Sequence, residues 1–156
     1  MSVEEFRLGA TSELQTFVTA DQYTEENWAI VQKLIDEGIA NVQAGKTLEE
    51  INAALTNAKK AIYEVETKEE TAAARLQEAK DAAVAFLEGY LDPSLYREEE
   101  QIEITQYLVD GKKWILGAET EAEVTRYLNE TKANLDALPT AAQYQYEIDA
   151  AAAAEV

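Results

Sequence analysis

Apolar residues in the first 66 positions recur at intervals of three and four. Val3, Phe6, Ala10, Leu14 and Phe17 form one row, and Trp28, Val31, Ile35, Ile39 and Val42 a second. Ile51, Leu55, Ala58, Ile62 and Val65 form a third. At about 3.6 residues per turn this spacing gathers each row onto one helix face and leaves polar residues opposite. Three amphipathic helices sharing one core are therefore expected, and the same pattern returns over 76–91, 104–115 and 124–138.

The second set reads as a copy of the first. A shift of 73 residues, without gaps, places Tyr23 on Tyr96, Gly38 on Gly111, Thr47 on Thr120, Glu50 on Glu123, Leu55 on Leu128, Lys59 on Lys132 and Thr67 on Thr140. Apolar positions follow: Leu14 with Leu87, Val31 with Ile104, Val42 with Ile115, Ile51 with Val124. The matches fall on core and cap positions, as expected of two copies of one unit. The predicted fold is all-α: two tandem three-helix bundles related by a 73-residue repeat. Module 1 covers 1–66 and module 2 covers 67–139, with 140–156 a helical extension or the start of a third module.

Helix punctuation agrees. In a capping box a Ser or Thr hydroxyl accepts from the backbone N–H three residues on, while a Glu or Gln there reaches back. The spacing occurs at Ser2/Glu5, Thr47/Glu50, Thr67/Glu70, Thr120/Glu123 and Thr140/Gln143. Gly45 and Gly117 sit where a left-handed residue would end a helix, and Pro93 marks a turn. No Pro or Gly interrupts 46–86, which would permit a continuous third-to-fourth helix. The Thr67 cap predicts a short kink there instead. The Thr140 box makes the chain look like a slice of a longer array.

Charge narrows the function. Thirty-one acidic residues against thirteen basic ones give a net charge of −18, which disfavours nucleic acid, since phosphate contacts need Lys and Arg. It equally disfavours anionic membrane surfaces, and no apolar run is long enough to span a membrane. With no cysteine and no histidine, thiol chemistry, His-based triads and the commonest metal ligand are absent. The start of the chain shows no apolar signal region.

Three candidate chemistries reduce to helix grammar. Gly45-Lys46-Thr47 resembles the end of a phosphate-binding loop, but the first glycine of that loop would fall on Ala40, a helix precedes it, and the second copy has Glu119 in place of the lysine. Acidic runs at Glu98, Glu99, Glu100 and Glu103, and at Glu119, Glu121 and Glu123, match the preference of acids for helix N-termini. They fit this better than the paired carboxylates of a glycosidase. No calcium loop is present. No catalytic residue, cofactor or metal site is expected, and the chain reads as a non-enzyme. Tyr107, Trp114 and Tyr127 form the one candidate ligand or partner face: Tyr107 and Trp114 lie seven apart on one helix side, and Tyr127 replaces Ala54 of the first copy. The competing reading is a wider core or an inter-module contact.

The stretch 21–62, with its "YTEENW" helix start and "TLEEINAALTNA" helix, resembles the FIVAR-type module. Residues 91–140, from "DPSLYR" to "DALPT", look like a related repeat. The resemblance implies small three-helix modules of secreted or wall-anchored Gram-positive surface proteins and carbohydrate-active enzymes, acting as spacers or as protein- or sugar-binding units. It carries no catalytic residues. The expected function is a non-enzymatic helical spacer or interaction module of an extracellular bacterial multidomain protein. Its partners would be neighbouring modules of the same polypeptide. The alternative is a glycan- or protein-binding, adhesin-like module using the aromatic face.

Overall fold

The computed structural model describes residues 1–155 and is all-helical. Among these residues the elements are α1 (Val3–Thr16), a 3-10 turn (Ala20–Gln22), α2 (Glu25–Ala44), α3 (Leu48–Tyr63) and α4 (Lys68–Glu88). A second 3-10 turn (Pro93–Leu95), α5 (Glu98–Leu116), α6 (Glu121–Asp136) and α7 (Ala141–Ala154) follow. The chain divides into two compact units, Met1–Ala73 and the part from Ala74 onward, with the division inside α4.

In the first unit α1, α2 and α3 pack on one another in all three pairings. Leu14, Val31, Val42, Ile51 and Ile62 are fully buried between them. Each contributes on the order of 1.5–3 kcal/mol by leaving water, and each sits in a predicted apolar row. In the second unit the core is built from Ala83 and Leu87 of α4, Ile104 and Ile115 of α5, and Val124 and Leu135 of α6. Four starts recur 73 residues on: Ala20 and Pro93, Glu25 and Glu98, Leu48 and Glu121, Lys68 and Ala141.

Glycine sets a close helix approach in each unit. A Cβ on Gly38 would stand 2.6 Å from the Cβ of Ala58, and one on Gly111 would stand 2.6 Å from Cγ2 of Thr131. Real Cβ atoms do not come that near, so α2–α3 and α5–α6 pack at a distance that no larger residue allows. Thr131, fully buried, satisfies its hydroxyl by donating to the Tyr127 carbonyl at 2.8 Å, as a buried hydroxyl must.

The helix ends correct the sequence reading in three ways. First, no described residue has positive φ, so Gly45 and Gly117 are not left-handed caps. Gly45 is extended (φ −66°, ψ 135°) and Gly117 helical (φ −87°, ψ −1°). Gly45 is needed for space, since a Cβ there would meet Cγ1 of Ile51 at 2.8 Å. Second, the residue equivalent to Gly45 is Ala118, not Gly117. The Gly45 N–H donates to Val42 at 3.2 Å, and the Ala118 N–H donates to Ile115 at 3.1 Å.

Third, of the five predicted boxes Ser2 and Thr140 are the reciprocal ones. At Thr47 and Thr120 the hydroxyl caps Glu50 and Glu123, but those carboxylates accept from the N–H of Lys46 and Glu119, one residue earlier. Thr67 caps Glu70 at 3.2 Å, and the chain leaves helix over 64–67. The predicted interruption between the third and fourth helices is therefore present, and a continuous helix there is not.

Candidate functional site

The aromatic candidates lie along the α5–α6 seam. Trp114 comes from α5 and Tyr127 from α6, with ring centroids 6.3 Å apart and planes tilted by 42°. Trp114 is 43% exposed, while Tyr107 and Tyr127 are half-buried against the second core. The Arg126 guanidinium lies 4.9 Å from the Tyr127 ring centre and donates to its hydroxyl at 3.1 Å. The seam thus presents a partly exposed indole, a half-buried phenol and a cation. Such a group can stack on a sugar ring or another aromatic and hydrogen-bond a carboxylate.

The corresponding seam of the first unit is different. Leu34, Asn41 and Ala54 stand 73 residues before Tyr107, Trp114 and Tyr127, and they line an open cleft of about 430 Å³ between α2 and α3. The aromatics occupy the place where smaller residues leave that space. Their first structural effect is to broaden the second core across its helix seam.

The acidic runs serve as helix starts. Glu100 is buried and accepts from Arg97, at 3.0 Å from Nε and also from Nη2. That hydrogen-bonded guanidinium holds the Glu100 carboxyl below its ordinary value of 4.5, against the opposing effect of desolvation. Glu123 accepts from the Glu119 N–H at 2.8 Å. No group of three or more metal-ligating side chains converges among the described residues. The turn resembling a phosphate loop uses its atoms internally: the Gly45 carbonyl accepts from Arg7 Nη2 at 2.7 Å, and Thr47 caps α3.

Two features escaped the sequence. Arg97 stacks on the Tyr144 ring of α7, its Cζ 3.4 Å from the ring centre. A surface cleft of about 670 Å³ opens at the α6–α7 corner, lined by Asp136, Leu138, Pro139, Gln143 and Tyr146 among others. Asp136 is already engaged, accepting from the Tyr90 hydroxyl at 2.6 Å. That bond, with partial desolvation, raises the Tyr90 phenol above its ordinary value of 10.0. The only sequence signal was the aromatic at 144 four residues after a cap. Its partner Arg97 is 47 positions away, and no local pattern links them. Among the described residues no helix is long and apolar enough to cross a membrane. Comparison of the chain with protein-family models, with curated proteins and with solved structures finds no match.

Proposed function

We propose that the chain is a non-enzymatic helical spacer or interaction module of an extracellular bacterial surface or secreted protein, built as two tandem three-helix bundles on a 73-residue repeat. In this reading module 1 spans 1–66, module 2 spans 67–139, and 140–156 is a helical extension or the start of a third module. One observation carries it: four successive element starts recur at an interval of 73 residues. Supporting it are paired details, such as Lys59 over the Phe17 ring at 5.4 Å and Lys132 over the Tyr90 ring at 5.9 Å. Repetition of a capped, acidic helical unit extends a chain at little sequence cost, and its net charge of −18 keeps neighbouring modules from associating indiscriminately.

The test is replacement within the parent polypeptide. An unrelated helical module of equal length should restore the reach and activity of the flanking domains after deletion of this one. Failure of that rescue would favour binding over spacing. The binding alternative draws on the partly exposed Trp114 beside Tyr127 and Arg126. Under it, Trp114→Ala should abolish a signal on glycan or serum-protein arrays that the parent chain gives. No signal from the parent chain removes this alternative.

A further inference from the structure

The outer face of α5 carries an apolar row with no partner. Ile102, Val109 and Leu116 are 72%, 56% and 57% exposed, and they repeat every seven residues. Seven residues fall about 20° short of two full turns, so the three stand nearly in line, some 10 Å apart. They lie opposite the core positions Ile104, Gly111 and Ile115 of the same helix. The equivalent α2 positions in the first unit are Ala29, Asp36 and Gln43, so the row belongs to α5 and not to the shared plan.

Charge beside the row is sorted at its two ends, while Glu103 and Asp110 stand about 100° round the helix from it. Glu98 and Glu99 flank the row at its N-terminal end, and Lys112 and Lys113 flank it at the C-terminal end. Glu98, Glu99 and Lys113 are exposed, and Lys112 is half-buried, 3.4 Å from Glu88. A parallel copy would set acid against acid and base against base. An antiparallel copy centred between residues 105 and 106 does the opposite. It places Ile102 opposite Val109 of the second copy, Glu98 opposite Lys112, and Glu99 opposite Lys113, each contact occurring twice by symmetry. The register that seats Val109 on itself forfeits this: it turns Glu98 and Glu99 toward the 119–120 end of the other copy, where Glu119 stands.

We propose that the chain self-associates through α5 as an antiparallel two-fold pair in the register centred at 105–106. The surface is smaller than that of an obligate dimer, and the chains repel at long range, so pairing is weak. In a repeated surface protein, where local concentration is high, such contacts would join neighbouring polypeptides laterally. The proposal does not depend on the spacer reading.

Sedimentation equilibrium on the 156-residue chain at 0.15 M salt, from about 10 μM to 1 mM, tests it. Rising concentration should convert monomer to dimer. Ile102→Glu with Val109→Glu should leave only monomer, while Ile30→Glu, at an exposed apolar site on α2, should change nothing. K112E/K113E alone, or E98K/E99K alone, should weaken pairing about tenfold or more. An equimolar mixture of those two variants should recover it, because both ends are then complementary. Circular dichroism confirms that each variant is folded. A parent chain monomeric at 1 mM overturns the proposal. So does a dimer indifferent to the Glu substitutions in the row, or a charge-swapped mixture no tighter than its components.

Discussion

The corner that joins α2 to α3 and the corner that joins α5 to α6 solve one packing problem with the methyl groups exchanged. In the first, Gly45 faces Ile51, and an added Cβ would lie 2.8 Å from the isoleucine Cγ1. In the second, Ala118 supplies that Cβ, is itself buried, and the residue in the place of Ile51 is the smaller Val124. Volume is preserved while both residues change, as close-packed interiors demand. Farther out, at the seam mouths, nothing imposes such trades. Asn41 and Ala54 leave a cleft in one unit, and Trp114 and Tyr127 cover the equivalent place in the other. Where backbones come close the two units trade volume between neighbouring residues, and just outside those contacts the residues differ without such a trade.

The largest effect expected is where Gly38 meets Ala58. Gly38→Ala drives one Cβ onto another that is fixed to the α3 backbone, so relief requires the helices to part. We expect a loss of about 1–3 kcal/mol in the first unit, exceeding the helix-propensity gain of up to about 1 kcal/mol from replacing glycine. Gly111→Ala should be rescued in large part by Thr131→Ala, which removes Oγ1 and Cγ2 and leaves only the Cβ, at 3.0 Å, to be accommodated. No second-site change at Ala58 short of glycine should rescue Gly38→Ala. Each unit contains one tryptophan, Trp28 or Trp114. Urea titrations followed by fluorescence in Trp114→Phe and Trp28→Phe backgrounds therefore report the units separately.

A smaller difference is expected with pH. Glu100 in the second unit stands where the first has Asn27, whose amide donates to the Glu66 carbonyl at 3.1 Å. Because the folded-state pKa of Glu100 is held below 4.5, its contribution is complete above that value and is lost as pH falls through the depressed one. Acid titration followed at Trp114 should therefore show a component that Glu100→Gln removes. Titration followed at Trp28 should be unaffected by that substitution.

Much of this was legible in the chain. The rows around Leu14, Val31 and Ile51 specified helices and their buried faces, because burial and helical period act locally. The Thr47, Thr67 and Thr120 caps located the breaks for the same reason. Gly45 was misread because its absent Cβ is a matter of distance to Ile51, which sequence spacing does not measure, and not of backbone conformation. The proximity of Trp114 and Tyr127 was legible from their places on α5 and α6, but the exposure of Trp114 was not. Whether Trp114 faces solvent depends on how Tyr127 and the α6 backbone approach α5. The Arg97–Tyr144 stack was invisible, since it joins residues from separate helices.

The corner exchange offers the most direct test of the claim that both units follow one plan with locally compensated differences. In the Trp114→Phe background, urea unfolding of Gly45→Ala, Ile51→Val and the double variant makes a complete cycle. Each single change should cost about 1 kcal/mol, one by crowding and one by a cavity. The double variant, which reproduces the Ala118–Val124 pair, should return to within about 0.5 kcal/mol of the parent. A double variant whose loss equals the sum of the single losses would contradict the account.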